Sequence, residues 1–283
     1  MQFPVKLLRG TLLKRYMRFL ADVRLDDGTE ITATCPNTGS MIGLKEPGQK
    51  IWLSTSDSPT RKYKHTWELV EADLGRGMVH VGINTQHPNK LVEEAIVAGR
   101  LPTLKGYAEL KREQKYGVNS RIDILLSDPK KGMAYVEVKN VHMSRSHGLA
   151  EFPDSVTERG AKHLHELGDM VEAGHRAVMC FLIQRQDCAS LSLARDIDAT
   201  YGEALDLALK RGVEVICLRC TVTPQQIVAD TIVPFKNTSA GMVAPKSKAG
   251  AKKPAAKKAA VKTAAPTKKP ATKKAAKSAK AKR

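Results

Sequence analysis

Two neighbouring segments carry residues that could do phosphate chemistry. Ser120–Leu126 (SRIDILL) holds Asp123 between Ile122 and Ile124, and Ala134–Asn140 (AYVEVKN) holds Glu137 and Lys139 two residues apart. Side chains alternate along a strand, so Glu137 and Lys139 share one face while Val136 and Val138 take the other. Paired as a hairpin across the turn at 128–132, the segments bring Asp123 beside Glu137. Two carboxylates bind a hard divalent cation, Mg²⁺ or Mn²⁺, which keeps open water positions. The cation polarises a phosphodiester and acidifies the attacking water. Lys139 would orient that water and stabilise the charge building on phosphorus. Glu-x-Lys alone carries no information, since it also occurs at Glu109–Lys111 and Glu113–Lys115. Only the third copy lies in a β-branched run that follows an Asp-bearing apolar strand. The bland reading is a pair of strands with ordinary surface charges, against which an Asp inside Ile-x-Ile argues, because strands disfavour it.

Other basic clusters would meet the substrate. Arg159 and His163 are spaced i,i+4 on one helix face, beside Thr157, Lys162 and His165, and could reach a phosphate near the metal. Lys14-Arg15-Tyr16 and Arg61-Lys62-Tyr63-Lys64-His65 interleave cations for phosphates with aromatics that stack on unpaired bases. Arg18 and Arg121 complete the expected nucleic-acid contacts.

The elements that must position these residues fall into two rhythms. Over 1–85, short apolar runs (Val5–Leu8, Phe19–Leu25, Ile31–Ala33, Ile51–Thr55, Trp67–Val70, Met78–Ile83) are broken by Asp26-Asp27-Gly28, Pro36–Gly39 and Glu46–Gly48. This spacing predicts a small β-barrel or sandwich, and a five-stranded oligonucleotide-binding barrel fits. From residue 86 to 236 the order reads α-β-β-β-α-β-α-β. Helices are expected at Asn89–Ala98, Asp154–Gly174 and Tyr201–Arg211, and strands at Tyr107–Tyr116, Arg121–Leu126, Ala134–Val141, Ala177–Gln184 and Val213–Cys220. Ending on strand–helix–strand predicts a parallel pair, so this half is α/β with a mixed sheet. The whole is α+β.

Charge divides the chain further. Residues 244–283 carry 14 Lys, one Arg and no acid, +15 of the net +18, which leaves +3 for the rest. With four prolines in that run, 237–283 is expected to be a disordered Lys/Ala/Pro-rich arm that binds DNA without sequence preference. No stretch approaches the roughly 18–20 apolar residues of a membrane span, and the N-terminus lacks a signal-peptide core. Five cysteines form no framework. Cys217-x-x-Cys220 lacks a second ligand pair and reads as packed thiols. Cys35-Pro36-Asn37-Thr38-Gly39 reads as a tight loop at the domain junction. The expected compartment is the reducing cytoplasm, with nucleoid association an option.

Asp123…Glu137-Val138-Lys139 between two helices resembles the PD-(D/E)xK nuclease superfamily. More closely, the chain is identified as resembling the sugar fermentation stimulation protein A family through 14–22 (KRYMRFLAD), 35–39 (CPNTG), 61–68 (RKYKHTWE), 115–117 (KYG), 120–123 (SRID), 136–141 and 152–160 (FPDSVTERG). The resemblance covers roughly 1–235. It implies an oligonucleotide-binding-type barrel over 1–85, a nuclease-like domain over 86–236, and DNA, double- or single-stranded, as partner. It links the family to sugar-utilisation genes, with nuclease activity inferred from fold. It also implies a further acidic metal ligand from the first helix, Glu94 or Glu93, with Glu113 a weaker candidate. The superfamily's proline before the first aspartate is Ile122 here. Three readings remain open: a Mg²⁺-dependent nuclease, a non-catalytic DNA-binding regulator, and a nucleoid-type architectural binder. A homodimer is compatible with all three.

The arm gives a direct test. Removing residues 237–283 should flatten the log–log salt dependence of DNA affinity by about 0.9 for each phosphate no longer neutralised. An unchanged slope in a filter-binding salt series would mean the arm does not touch phosphates.

Overall fold

The computed structural model describes residues 1–75 and 77–237. Except for Asn237, the expected arm lies outside the described residues. Strands β1 (Leu8–Tyr16), β2 (Leu20–Leu25), β3 (Glu30–Thr34), β4 (Lys50–Thr55) and β5 (His65–Asp73) form one sheet, with β6 (Met78–Gly82) added to β5. A parallel pairing of β3 with β5 closes it into a ring. Read around, the ring runs β1-β2-β3-β5-β4, a five-stranded oligonucleotide-binding barrel. Its interior is filled by the inward residues of each strand, Leu12, Val23, Ala33, Ile51, Leu53 and Val70, around the fully buried Trp67. The Trp67 indole N–H is satisfied by the Leu69 carbonyl at 2.9 Å.

The second half contains α1 (Pro88–Val97), β7 (Glu109–Tyr116), β8 (Ser120–Asp128), β9 (Gly132–Val141), β10 (Gly148–Phe152), α2 (Glu158–Glu172), β11 (Arg176–Ile183), β12 (Cys188–Leu193), α3 (Ala199–Lys210), β13 (Glu214–Val222) and β14 (Ile227–Val233). The main sheet runs β14-β13-β11-β9-β8-β7. Its centre, β9-β11-β13, is parallel and its flanks antiparallel, the mixed sheet expected. Leu91, Val92, Ala95 and Ile96 of α1 pack on one face against Val136, Val138 and Val178. On the other face Leu164 and Leu167 of α2 and Tyr201 and Leu205 of α3 pack against Met179 and Phe181. Cys217 faces this second core and Cys220 the first, so the CxxC pair shares no site. Both thiols are buried and free, and burial pushes Cys217 up to about 12. Among the described residues no helix is long and apolar enough to cross a membrane.

Some expectations are corrected. The first strand begins at Leu8 and runs through polar residues to Tyr16, not over Val5–Leu8. Strands β10, β12 and β14 were unanticipated, because GLAEF and CASLSL are short and β14 followed what read as the last element. Helix α2 starts at Glu158 rather than Asp154, since Thr157 caps it by accepting the Gly160 N–H.

Residues 152–157 instead meet the barrel. Cys35 is buried in the barrel core, and the Asn37 amide donates to the Ile83 carbonyl at 3.1 Å. Asp154 accepts the Met41 N–H at 3.1 Å and lies 3.3 Å from His142 Nε2, while Ser40 Oγ donates to the Asp154 carbonyl at 2.5 Å. A Cβ at Gly39 would come within 2.8 Å of the Asp154 carboxylate, so only glycine allows this approach. Burial works against ionisation of Asp154, but His142, the Met41 N–H and Ser40 outweigh it and hold the carboxyl well below its usual range.

A carboxyl held low in the folded state stabilises above the unfolded value, about pH 4, and that stability is lost as pH falls below it. Asp154→Asn should therefore cost about 1–3 kcal/mol at pH 7 and less at pH 3. Urea titrations at the two pH values check this, and an equal loss at both would remove the ionic role.

Candidate active site: a carboxylate-lined cleft

Antiparallel pairing of β8 with β9 runs from Asp128↔Gly132 to Ile124↔Val136 and stops there, one residue short of Asp123 and Glu137. Asp123 occupies the gap. Its Oδ2 accepts the Val138 N–H at 2.7 Å and its Oδ1 accepts from the Asn89 amide at 2.8 Å. The strand bends at this point: Ile124 packs into the α1 core and Ile122 into the α2 core, although residues two apart normally share a face. On β7, Glu113 falls opposite Asp123 in register and has a left-handed backbone, φ +54°, uncommon for a residue with a Cβ. The Asn89 amide also donates to Glu113 Oε1 at 3.2 Å, linking the two acids.

Glu137 is only 2 % exposed. Its Oε1 accepts from Lys139 Nζ at 2.6 Å and is bonded to His163 Nδ1. The Arg159 Nε–H donates to His163 Nε2 at 3.3 Å, which fixes the imidazole proton on Nδ1, facing Glu137. Glu137 Oε2 is buried and has no partner. Burial opposes its charge, but His163 and Lys139 outweigh that and keep the carboxyl below its ordinary value. Asp123 goes the other way: burial, then the nearby Glu137 charge, raise it to about 6. Together with Thr85, Asn89, Lys139, Thr157 and Arg159, these groups line a cleft of about 530 Å³. A cavity of about 550 Å³ elsewhere, walled by Phe3, Lys6 and Trp52 among others, has no acid or histidine in its lining.

Asp123, Glu137 and Lys139 are thus brought together. Glu94 is not. The buried stripe of α1 turns it toward β14, where it accepts from the Met1 ammonium at 2.6 Å beside the Ile227 carbonyl. Glu93 pairs with Arg112 at 3.4 Å. His163, expected to meet phosphate, is buried against Glu137 as its support. Lys162 donates to the Val118 carbonyl at 2.8 Å and to Ser120 Oγ at 3.2 Å. Arg15 donates to the carbonyls of Arg18, Asn37 and Gly39, and Arg18 to that of Thr38, so both hold the 37–39 loop. Arg61 donates to Thr34 and Thr66 hydroxyls. Lys64 is exposed and donates to the Ser58 carbonyl at 2.5 Å. Lys14 and Lys62 lie over the rings of Tyr16 and Tyr63, and Arg121 and Arg159 are exposed. Sequence reasoning missed Asn89. An asparagine one residue after the proline that opens α1 was the available signal, because its amide there points past the helix end.

The donor set of the cleft is oxygen, which suits Mg²⁺, Mn²⁺ or Ca²⁺. A bound cation would relieve both the orphaned Glu137 Oε2 and the mutual disfavour of the two carboxylates. Among the described residues no group of three or more His, Cys, Asp or Glu side chains is arranged to hold a metal ion. Two carboxylates with the remaining positions taken by water is the habit of Mg²⁺.

Family models match in both halves: the SfsA N-terminal OB domain over residues 13–82 and the sugar fermentation stimulation protein RE domain over 86–226. A sugar fermentation stimulation protein homolog of Rhizobium meliloti is 62% identical over 229 residues, 81% of this chain and 94% of that one. The homolog of Brucella ovis is 56% identical over 237 residues, 84% and 98% of the two chains. A solved structure of Pyrococcus furiosus SfsA in complex with Ca²⁺ aligns with TM-score 0.74 and 26% identity, covering 83% of this chain and 98% of that one.

Proposed function

The chain belongs to the sugar fermentation stimulation protein family, and from that premise we propose that it is a divalent-metal-dependent nuclease acting on DNA. One observation carries the reading: Glu137 keeps an unpartnered, buried oxygen in the cleft it shares with Asp123. A carboxylate left in that state costs stability, and a cation would satisfy it. The Ca²⁺ of the Pyrococcus relative is a hard, oxygen-seeking ion of the same kind.

Asp123 and Glu137 would hold the metal, Mg²⁺ or Mn²⁺. When bound, it supplies a Lewis acid for the phosphate and lowers the pKa of a water. The chain's own residues do the remainder. Lys139 lies 2.6 Å from Glu137 Oε1, close enough to orient a water and offset charge on phosphorus. His163 holds Glu137 in place and charged, and Arg159 fixes the tautomer of His163 while presenting its exposed guanidinium at the cleft wall. A regulator with no use for catalysis would gain by filling such a site with apolar side chains.

DNA contacts are supported by the barrel. Loops β1–β2 and β4–β5 are the oligonucleotide-contacting loops of this fold. Here they carry Met17, Arg18 and Phe19, and Lys62, Tyr63 and Lys64. Met17 and Phe19 are 67% and 48% exposed. Thr85 links this end of the barrel to the cleft, lining the cleft while donating to the Pro36 carbonyl at 2.6 Å. Five free, buried cysteines suit a reducing cytoplasm.

With Mg²⁺ or Mn²⁺, the purified protein should cut DNA, and Glu137→Ala or Lys139→Ala should each slow cutting by roughly 10²-fold or more. Cleavage that survives both substitutions would sink the proposal. His163→Ala should weaken Mn²⁺ binding, followed by electron paramagnetic resonance titration, by about 10- to 100-fold. His163→Gln, able to donate to Glu137, should recover part of it. Unaltered Mn²⁺ affinity in both variants would show that Glu137 needs no such support.

A further inference from the structure

We propose that the hairpin joining β7 to β8 is a DNA wedge: Val118 enters a base step of duplex DNA from the minor groove while Lys115 and Arg121 hold the flanking phosphates. The inference deepens the nuclease reading and rests on it.

Three observations meet at the tip. Gly117 and Asn119 both have left-handed backbones, φ +52° and +60°, and between them they lift Val118 to 73% exposure. The tip is nonetheless fixed. The Val118 N–H donates to Glu166 Oε1 at 3.2 Å, and its carbonyl accepts from Lys162 at 2.8 Å. A Cβ at Gly117 would come 2.9 Å from Glu166 Oε1, so the strand ends press directly on α2. Glu166 is 5% exposed, and its second oxygen has no partner. Glu166, also paired with Lys162 at 3.5 Å, thus fixes the turn's backbone while the apolar side chain of Val118 stays in water. The arrangement makes sense for a rigid apolar point that meets something.

The surroundings say what it meets. Lys115 and Arg121 pair directly across the hairpin and are both exposed, while Tyr116 and Ile122 turn inward against α2. An apolar point between two cations matches a base step between two phosphates. Apolar side chains inserted this way unstack the step and kink the duplex. Position agrees as well. Arg121 precedes Asp123 by two residues, about 6.6 Å along the strand, and Glu113 on the other strand is linked to Asp123 through the Asn89 amide. A kink at Val118 would therefore lie within about five residues, roughly 16 Å along the strand, of the phosphate presented to Asp123 and Glu137. The preferred substrate is duplex DNA that bends or unstacks easily, at a mismatch, nick or junction.

The test uses the full-length protein, Ca²⁺, and a duplex carrying 2-aminopurine at a central step. Binding should raise 2-aminopurine fluorescence. Val118→Ala should still bind, keep its melting temperature because the side chain is exposed, and lose the fluorescence rise. The Lys115→Ala/Arg121→Ala double variant should lower the log–log salt slope by about two. A wild-type complex without the rise, or an undiminished rise in Val118→Ala, overturns the wedge even if DNA is cut in the Mg²⁺ assay. Absence of both DNA binding and cutting overturns the wedge together with the nuclease reading.

Discussion

A nearly waterless glutamate with one satisfied oxygen governs the mixed-sheet half of the molecule. Removing a carboxylate from water costs several kcal/mol unless its neighbours compensate. Glu137 has Lys139 and His163 on Oε1 and nothing on Oε2. Around it the sheet departs from regularity: β8 leaves β9 after Ile124, Asp123 takes over the Val138 N–H, and Glu113 adopts a left-handed backbone opposite. A continuous ladder would have put backbone where the cleft is. Parting the strands is what gives two carboxylates access to a common space, and a side-chain carboxylate standing in for a backbone carbonyl keeps the exposed N–H satisfied.

The barrel helps to aim the site. Glu68 on β5 is buried and accepts from Ser54 at 2.6 Å, Asn84 at 2.8 Å and His87 Nε2 at 2.8 Å. Burial disfavours its charge, yet these donors, His87 foremost, keep it low. His87 is the residue just before α1, so the barrel fixes where that helix begins. Asn89 follows two residues later and reaches Asp123. The second tie, Asp154 against Ser40 and Met41, sets the loop that leads into α2, whose first turns bring Arg159 and His163 to Glu137. Both walls of the cleft are thereby registered against the barrel by an acid, the buried Glu68 on one side and the half-buried Asp154 on the other.

How much of this was legible in residue order depends on whether the signal was local. Period-two alternation and turn residues located β2 to β6 and the central sheet, though not β1, whose polar run hid it, and the Ile-Asp-Ile and Val-Glu-Val-Lys runs located Asp123, Glu137 and Lys139, because apolar strands carrying charge stand out. Asn89 did not, since a polar residue near a helix start is commonplace. Glu94 misled for a related reason: one helical turn from Leu91 can mean cleft or flank, and the flank was set by Met1, 93 residues away in sequence. Strands β10 and β12, a separate two-stranded parallel sheet, have no strong pattern of their own. Their positions follow from pairing between distant segments.

The basic residues divide by what their guanidinium and ammonium groups already do. Arg15, Arg18 and Arg61 hold barrel loops, Lys162 holds a hairpin, and the imidazole of His163 is committed to a carboxylate. Lys14, Lys62, Lys64, Lys115, Arg121 and Arg159 are among the many exposed cations. Acids offset most of these cations, so residues 1–243 carry a net charge near +3, against +15 at 244–283. Under the proposed nuclease reading, the +15 at 244–283 would add attraction to DNA, about one log unit of affinity per log unit of salt for each phosphate neutralised, and so raise its local concentration. Affinity and positioning would then be carried by different parts of one chain: a run of charge for the first, and a partly unsatisfied carboxylate cleft for the second.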